Sequence, residues 1–318
     1  MKVRNIMFDV TDNCNFRCNH CYKNFDEISI DLNCEKILYF INKLDEFNDC
    51  AHNIIISGGE PLLYPDLFSL LEALNGKNNI RINTNGLFLD RYIDSFQKIK
   101  NLKIQISLDG YNDETYFSVR NNHYFDKIVQ NATKAQSHGL QVYFRATLTS
   151  KTIENYENFF SLSKSLNIPL FIRPMVNTGE IRQKPLMIDY PKLRTWCDEI
   201  VRKKYESWTG GRNILAENAC PLQNGTFSIL TIDNHGNVYP CSLLRGKPFY
   251  MGNIITDSFE DISYNSKYIL NNVLQILNST SCQKCGFRKE LGDGTCIASC
   301  YFGNKSCVGH KIKGDYCE

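Results

Sequence analysis

The chain has 318 residues, of which 42% are hydrophobic and 22% are charged, and its formal net charge is +2 at pH 7. Lys and Arg are spread along the chain, so charge gives no case for binding nucleic acid or an anionic membrane. No apolar run approaches the roughly 20 residues of a membrane span, and the N-terminal MKVRNIMFDV turns polar too soon for a signal peptide. We therefore expect a cytoplasmic protein with no nucleic-acid and no membrane partner.

Short β-branched runs alternate with amphipathic segments in the first half of the chain. The predicted strands are 3–11, 53–57, 80–84, 102–108, 140–148 and 169–174. The predicted helices between them are 34–47, 65–74, 125–138 and 155–166. This alternation is typical of parallel βα units. Six units are too few for a closed eight-fold barrel, so we predict an α/β fold with a partial (β/α)6 barrel. Its chemistry should gather at the C-terminal ends of the strands.

The composition divides the chain into three regions. We predict the partial barrel over 1–175, a bridging helical region over 176–215, and a small cysteine-rich domain over 216–318. Within the last region, FSILTIDNHGNVYPC (227–241) predicts a β-hairpin around a DNHGN turn. Because this region is poor in long apolar segments, we expect its cysteines to stabilise it.

The chain contains 14 cysteines, and most of them are clustered. In a cytoplasmic protein of this size, clustered thiols are better explained as metal ligands than as disulfides. Three of them form a CxxxCxxC motif after the first strand, and eight more lie from Cys220 to Cys317. Cys34, Cys50 and Cys197 stand apart, and we predict that they are buried as small hydrophobic residues.

The CxxxCxxC motif consists of Cys14, Cys18 and Cys21 and has no fourth thiol nearby. Three thiolates can hold three irons of a [4Fe–4S] cluster and leave the fourth iron open to a small molecule. A zinc loop is the alternative for the motif alone. At the end of a first barrel strand, the motif resembles the radical S-adenosylmethionine (SAM) enzymes.

In that family the open iron binds the amino and carboxylate groups of SAM. Reductive cleavage of SAM then gives a 5′-deoxyadenosyl radical, which abstracts a hydrogen from the substrate. The resemblance therefore implies a SAM-binding [4Fe–4S] cluster and SAM as cofactors, with Cys14, Cys18 and Cys21 as the ligands.

The segment SGGEP (57–61) follows the second predicted strand and resembles the GGE motif of the family. Gly58 and Gly59 would let a ligand approach the backbone closely. Glu60 could accept hydrogen bonds from the ammonium group of SAM. For this segment alone, a simple turn before the next helix is the alternative.

The segment SLDG (107–110) also ends a strand, and the resemblance assigns Ser107 and Asp109 to the SAM ribose region. The two side chains point the same way in an extended chain, and an Asp at a strand end is a natural acceptor for ribose hydroxyls. Arg120 matches an arginine that contacts the SAM carboxylate in relatives, although Asn121 replaces the usual glycine. A surface arginine is the alternative, and Arg145 is a second carboxylate candidate.

Two further residues flank the cysteine loop. His20 and Tyr22 lie beside Cys21, where an aromatic ring near the adenine of SAM would fit. Packing is the alternative for both. The segment TNG (84–86) also recurs in relatives.

The cysteines after residue 219 resemble the SPASM extension, a cluster-binding domain of many peptide-modifying radical SAM enzymes. The resemblance implies two auxiliary [4Fe–4S] clusters. The first would be held by Cys220, Cys241 and Cys300, and the second by Cys282, Cys285, Cys296 and Cys317. Two zinc sites with cysteine tetrads are the alternative.

The first auxiliary set has only three thiolates. Its last iron is therefore open, or it is bound by Cys307 or by a non-cysteine ligand. An open iron could bind a substrate thiolate, which suits sulfur–carbon bond formation. Cys307 could instead return a hydrogen atom to a substrate radical.

The resemblance implies a maturase that installs an intramolecular crosslink, C–S or C–C, in a ribosomally made peptide. A reductant such as a flavodoxin or ferredoxin would supply electrons. Because the chain starts at the first predicted strand, we expect a leader peptide to bind the barrel or a separate partner protein.

Two relatives offer alternatives. Anaerobic sulfatase-maturing enzymes carry an Asp, and certain peptide epimerases a Cys, at the position that Ser242 occupies here. Crosslinking needs neither group. The alternative of another class is an electron-transfer or metal-binding module that does not cleave SAM. Segments 57–61 and 107–110 argue against it, because an electron carrier needs no site for an amino acid and a ribose.

Overall fold

A computed structural model describes residues 3, 5–21, 23, 29–47, 52–175, 185–189, 192, 195–196, 199 and 229–277. Within these residues, nine strands form one sheet in the order β6-β5-β4-β3-β2-β1-β7-β8-β9. The strands are β1 (Asn5–Asp9), β2 (Asn53–Ser57), β3 (Asn79–Thr84), β4 (Leu102–Ser107), β5 (Gln141–Leu148), β6 (Leu170–Pro174), β7 (Ile229–Ile232), β8 (Asn237–Tyr239) and β9 (Gly252–Asn253).

The helices of the described residues connect the parallel strands and follow the last one. They are α1 (Cys34–Phe47), α2 (Leu67–Leu74), α3 (Ile93–Phe96), α4 (Asp113–Arg120), α5 (Phe125–Ser137), α6 (Glu157–Leu166) and α7 (Phe259–Leu277). Short 3-10 turns add Pro61–Leu63, Leu89–Arg91 and Lys247–Phe249. The six strands β1 to β6 are parallel and lie in sequence order, which confirms the predicted parallel sheet of the partial barrel.

The two faces of the parallel sheet differ in chemistry because side chains alternate along a strand. One face, here called the apolar face, is fully buried and joins the helices in one hydrophobic core. It carries Ile6, Phe8, Ile54, Ile56, Ile80, Ile82, Ile104, Ile106, Val142, Phe144, Leu170 and Ile172. The opposite face, here called the polar face, is lined mainly by polar side chains and forms the inside of the partial barrel.

The predicted hairpin is present and extends the barrel sheet. Strand β7 pairs in parallel with β1, and β8 returns antiparallel to β7. In the turn, the Asp233 carboxylate accepts the backbone N–H groups of His235 and Asn237, at 3.0 and 2.9 Å. Gly236 has a φ of 85°, which only glycine adopts readily. The C-terminal region therefore begins as part of the barrel sheet.

Three expectations differ from the structure or fall outside it. The region after residue 219 contains the 19-residue helix α7, so it is richer in regular structure than predicted. Helix α4, capped by a reciprocal pair of Asn112 and Thr115, was also not predicted. Cys34 is only partly buried at the start of α1, whereas Cys50, Cys197 and nearly all of the bridging region 176–215 lie outside the described residues.

Candidate functional site

The cysteine loop begins where β1 ends, and the SGGEP segment holds it in place. The Gly59 N–H donates to the Thr11 carbonyl at 2.7 Å, and the Glu60 N–H donates to the Asn13 carbonyl at 2.8 Å. A Cβ on Gly59 would lie 2.3 Å from the Asn13 carbonyl oxygen. The close approach that glycine permits here is therefore made by the cysteine loop itself.

Backbone N–H groups point at two of the three sulfurs. The Phe16 N–H lies 3.5 Å from Cys14 Sγ, and the Lys23 N–H lies 3.4 Å from Cys21 Sγ. Burial raises the pKa of the Cys14 thiol to about 11, so the free thiol is protonated at neutral pH. A bound metal ion supplies the positive charge that such a thiolate needs. These thiols therefore fit an iron–sulfur cluster.

The spacing of the side chains also bears on the kind of metal. Among the residues described, no three His, Cys, Asp or Glu side chains converge closely enough to hold a single metal ion. In a [4Fe–4S] cube each thiolate binds a different iron, so the three thiolates of this loop can hold such a cluster.

Cys18, the remaining thiol of the loop, contacts a buried pair of charged side chains. Arg120 Nη1 lies 3.6 Å from Cys18 Sγ, and Arg120 Nε donates to the Asp109 carboxylate at 2.5 Å. The same carboxylate accepts the Thr147 N–H at 2.6 Å and lies 3.3 Å from His20 Nε2. The Arg120 side chain is 11% exposed, so the surface-arginine alternative is wrong.

The electrostatics of this group follow from burial and pairing. Burial alone would raise the pKa of Asp109, but Arg120, His20 and the Thr147 N–H together outweigh it and leave that pKa below its ordinary value. Burial lowers the pKa of His20 despite the nearby carboxylate, so its imidazole is neutral near pH 7. Asp109 is thus an ionised carboxylate held by protein donors. Its role toward the SAM ribose stays a prediction.

Glu60 is also occupied by protein donors. Its side chain is 1% exposed and accepts hydrogen bonds from Leu62 N–H at 3.1 Å, Thr84 Oγ1 at 2.6 Å and Asn85 N–H at 2.8 Å. Asn85 Nδ2 then donates to Asn15 Oδ1 in the cysteine loop at 2.8 Å. Burial outweighs these donors and raises the pKa of Glu60. The carboxylate ties SGGEP to TNG, and contact with SAM stays a prediction.

The remaining predicted SAM residues lie near the C-terminal edge of the strands. Ser107 and Arg145 are cross-strand neighbours in the β4–β5 register, and both are partly exposed. Gly58 has a φ of 137° and packs against Thr11. Tyr22 lies outside the described residues. The structure thus brings Asp109 to the cysteine loop through His20 and Arg120, and Ser107 lies two residues before Asp109 at the end of β4.

A second buried charged group connects the cysteine loop to the C-terminal hairpin. Asp9, which is 0% exposed, lies 2.8 Å from Arg245 Nη2 and 3.4 Å from Lys23 Nζ. Lys23 Nζ also contacts Asp12 Oδ1 at 2.7 Å, and Arg245 Nε donates to the Ser242 carbonyl at 2.8 Å. Burial would raise the pKa of Asp9, but the two cations outweigh it.

The sequence did not point to this group. Asp9 and Lys23 flank the CxxxCxxC motif, and that position is the only signal that they carry. Arg245 lies far along the chain and reaches Asp9 only because β7 pairs with β1. Asn234 in the hairpin turn makes a further link, since its Nδ2 donates to Asp12 Oδ2 at 2.5 Å.

Of the predicted auxiliary-cluster ligands, the described residues include Cys241. It is a partly buried free thiol just after β8, where it forms an isolated bridge with Leu244. The other cysteines of this region lie outside the described residues, and their assignments stay predictions. They are Cys220, Cys282, Cys285, Cys296, Cys300, Cys307 and Cys317.

Comparisons with known families agree with these features. The model of the Radical SAM superfamily matches residues 8–162, and the model of SPASM, an iron–sulfur cluster-binding domain, matches residues 220–307. The radical SAM domain implies a [4Fe–4S] cluster and SAM, and the SPASM domain binds iron–sulfur clusters.

The curated relatives of this chain include several GTP 3′,8-cyclases. The GTP 3′,8-cyclase of Staphylococcus carnosus is 33% identical over 150 residues, which are 44% of this chain and 44% of the relative. A probable GTP 3′,8-cyclase of Archaeoglobus fulgidus is 29% identical over 268 residues, covering 77% of this chain and 87% of the relative. The match spans about half the length of the Staphylococcus carnosus enzyme and of the similar GTP 3′,8-cyclase of Synechocystis.

Solved structures show the same fold at low identity. The anSMEcpe enzyme with bound AdoMet, an anaerobic sulfatase-maturing enzyme, has a TM-score of 0.77 at 15% identity over 98% of this chain and 96% of its own. Streptococcus suis SuiB bound to its precursor peptide SuiA has a TM-score of 0.70 at 14% identity over 96% of this chain and 74% of its own.

No helix in the described part of the chain is long and apolar enough to cross a bilayer. The CxxxCxxC loop, the parallel partial barrel and the two family models agree with one another. The chain therefore belongs to the radical SAM superfamily of enzymes and carries a C-terminal SPASM domain.

Proposed function

We propose that this protein is a radical SAM peptide maturase that forms an intramolecular crosslink, a C–S thioether or a C–C bond, in a ribosomally made peptide. The observation that carries the proposal is the combination of the CxxxCxxC loop with a SPASM domain on one continuous sheet. Solved structures with the same fold include SuiB with its precursor peptide and anSMEcpe with the Cp18Cys peptide.

The proposed residue roles follow from the geometry. Cys14, Cys18 and Cys21 hold the SAM-binding cluster. When bound, cluster and SAM together supply a 5′-deoxyadenosyl radical that takes a hydrogen from the substrate. Glu60 and Asp109 keep the loop and the strand ends in position through their buried hydrogen bonds.

The residues around SAM would be those at the C-terminal edge of the strands. We assign the SAM methionine group to Gly58 and Gly59 and the ribose region to Ser107 and Asp109. Arg145, partly exposed beside Ser107, and Arg120, buried against Asp109, are the two candidates for the SAM carboxylate. His20 and Tyr22 would flank the adenine.

The C-terminal domain would hold two auxiliary [4Fe–4S] clusters with the ligand sets predicted from the sequence. Domain limits of 1–175, 176–215 and 216–318 belong to the same proposal. Ser242 lacks the basicity expected of a sulfatase-maturing enzyme and the thiol expected of an epimerase, which favours crosslinking. Cys307 would complete the first auxiliary cluster or donate a hydrogen atom.

The setting proposed for the reaction is the reducing cytoplasm. The five described cysteines are all free thiols, which supports this setting. A flavodoxin or ferredoxin would deliver the electrons, and a separate protein could present the leader peptide.

A second candidate is a GTP 3′,8-cyclase, which the curated relatives favour by sequence. The barrel alone does not separate the two, because SAM cleavage is common to both. The SPASM domain and the peptide-bound structures of similar fold favour the peptide substrate.

The test is an anaerobic assay of the reconstituted enzyme with SAM, dithionite and a library of cysteine-containing peptides. Mass spectrometry should find peptides that have lost two hydrogens. Loss of the alkylatable thiol in the same peptide indicates a thioether, and an intact thiol indicates a C–C bond. Deuterium uptake from D₂O without another change would indicate an epimerase instead.

Two parallel incubations complete the test. One replaces the peptides with GTP, and turnover of GTP with no modified peptide would overturn the proposal. The other measures 5′-deoxyadenosine with the Cys14→Ala variant, in which its formation should be abolished. A chain that holds iron but never forms 5′-deoxyadenosine would be an electron-transfer module.

A further inference from the structure

The polar face of the barrel carries an excess of positive charge. The strand registers place Arg81, Lys103, Arg145 and Arg173 on this face. Asp9 is the one carboxylate that strands β1 to β6 contribute to it. A sheet face with this composition attracts anions.

Asp9 does not neutralise these four cations. Its Oδ2 atom already contacts Arg245 at 2.8 Å and Lys23 at 3.4 Å, and neither of these belongs to the four. The Asp9 carboxylate is therefore not a counter-ion of Arg81.

Arg81 is the cation of this face that most clearly needs a partner. Its Nε atom is buried and has no hydrogen-bond partner, and the side chain has no ion pair with any residue that the structure describes. Its cross-strand neighbours are Ile55 and Lys103, so one side is apolar and the other is a like charge. A buried donor without an acceptor costs free energy, which an anionic ligand would recover.

Asn83 carries an unpartnered hydrogen-bond acceptor close to Arg81 in the sequence. It lies two residues after Arg81 on the same face, and its buried Oδ1 atom also has no partner. Its cross-strand neighbour Gln105 accepts the Tyr143 hydroxyl through Oε1 at 3.3 Å and makes no hydrogen bond to Asn83 Oδ1. The pair therefore offers guanidinium donors next to an amide acceptor.

The unpartnered donor of Arg81 and the unpartnered acceptor of Asn83 indicate which chemical groups a ligand should carry. A carboxylate satisfies Arg81, and a neighbouring N–H donor satisfies Asn83 Oδ1. A peptide with an acidic side chain presents both groups within one or two residues. A phosphate group supplies only the acceptors.

We propose that Arg81 and Asn83 form a subsite for an acidic residue of the peptide substrate. The carboxylate binds the Arg81 guanidinium, and a backbone N–H of the peptide donates to Asn83 Oδ1. This inference rests on the proposed peptide-modifying function and names the substrate class for it.

The test is isothermal titration calorimetry on the reconstituted, SAM-bound full chain under anaerobic conditions. Three probes are compared: a capped six-residue peptide of Gly and Glu, its Gln counterpart, and tripolyphosphate. The native chain should bind the Glu peptide at least about tenfold more tightly than the Gln peptide, the factor expected for one charge-assisted pair.

Two variants locate the binding. Arg81→Met should weaken binding of the Glu peptide about tenfold, and Asn83→Asp should weaken it by charge repulsion. Lys77→Met, which removes an exposed cation outside the sheet, should leave it unchanged. Arg81→Met should fold normally, because it removes a cation that has no partner in the described residues.

Three results would overturn the inference. These are equal binding of the Glu and Gln peptides, binding of tripolyphosphate alone, and unchanged affinity in Arg81→Met. If a peptide is modified but Arg81→Met leaves KM unchanged, this inference fails while the proposed function stands. If the Glu peptide binds at Arg81 but no peptide is modified, the proposed function fails.

Discussion

At the residue scale, the pair of Asp109 and Arg120 is the feature on which the first cluster loop most depends. Asp109→Asn removes the negative charge from a side chain that is 1% exposed and leaves Arg120 buried without its counter-ion. We expect the free energy of unfolding to fall by about 3 kcal/mol, a typical cost of breaking a buried ion pair. Anaerobic urea denaturation measures it.

The control for this variant is Asp113→Asn. Asp113 pairs with His123, but the two side chains are 42% and 66% exposed, so the pair contributes little. We expect a change of less than about 0.5 kcal/mol. Equal losses in the two variants would show that burial of Asp109 and Arg120 does not matter.

Glu60→Gln tests the link between the SGGEP and TNG segments. A carboxamide keeps one acceptor oxygen but turns an NH₂ group toward donors such as Thr84 Oγ1 or the Asn85 N–H. One donor then loses its acceptor, which costs about 1–3 kcal/mol. Glu72→Gln, at an exposed position of α2, is the control. Unfolding curves that coincide for the two variants would contradict the assignment.

The sequence predicted which segments meet at this site but not how they bind one another. CxxxCxxC, SGGEP and SLDG lie together at the strand ends, as parallel topology requires. The sequence also suggested free acceptors at Glu60 and Asp109, whereas both carboxylates are held by protein donors. Those donors come from other strands, so their partners depend on strand register rather than on any local pattern.

At the element scale, the contact between SGGEP and the cysteine loop sets the position of the first cluster. In Gly59→Ala the new Cβ would lie 2.3 Å from the Asn13 carbonyl oxygen, so the loop must move. We expect the variant to lose the iron of the first cluster, about four atoms per chain for a [4Fe–4S] cube. Iron analysis after anaerobic reconstitution measures this loss.

Gly76→Ala provides the comparison. Its Cβ would meet nothing within 4 Å, but its φ of 75° is unfavourable for alanine. The variant should therefore lose about 1 kcal/mol of stability while keeping all its iron. Normal iron content in Gly59→Ala would show that the cysteine loop tolerates displacement.

The link from Asp9 to Arg245 joins the hairpin to the first cluster loop. Arg245→Met removes one cation from Asp9 and the donor to the Ser242 carbonyl, next to Cys241. We expect a loss of about 2–3 kcal/mol in stability and an altered electron paramagnetic resonance spectrum of the auxiliary clusters. The electron paramagnetic resonance spectrum of the first cluster should be unchanged.

Lys247→Met is the matched control, because Lys247 is exposed two residues further along the chain. It should change neither the stability nor the spectra. An unchanged auxiliary-cluster spectrum in Arg245→Met would mean that the link does not position the Cys241 loop.

Strand and helix bounds were predictable where apolar periodicity was strong. The predicted segments 53–57 and 34–47 agree with β2 and α1 at both ends. Helix α7 was missed because its buried stripe is narrow, with Phe259, Ile262 and Ile269 separated by polar residues. Its packing partner explains why it is stable, since the Phe259 ring lies 5.8 Å from the Phe40 ring of α1.

At the scale of the whole molecule, the N-terminal barrel and the start of the SPASM region share one sheet. Strand β7 pairs with β1, and the buried group around Asp9 lies at this junction. The sequence predicted the hairpin as part of a separate small domain, because nothing in a single strand indicates its neighbour. Through Arg245, the shared sheet links the Cys241 loop to Asp9, which ends β1 before the first cluster loop.

The central claim is that this chain carries one SAM-binding cluster and two auxiliary clusters. Anaerobic iron and sulfide analysis of the native chain, and of a variant with Cys14, Cys18 and Cys21 all changed to Ala, tests it most directly. With each cluster a [4Fe–4S] cube, the native chain should hold about 12 irons and the variant about 8. Zinc in the C-terminal cysteines, with iron confined to the first loop, would contradict the auxiliary clusters and leave an enzyme with a single cluster.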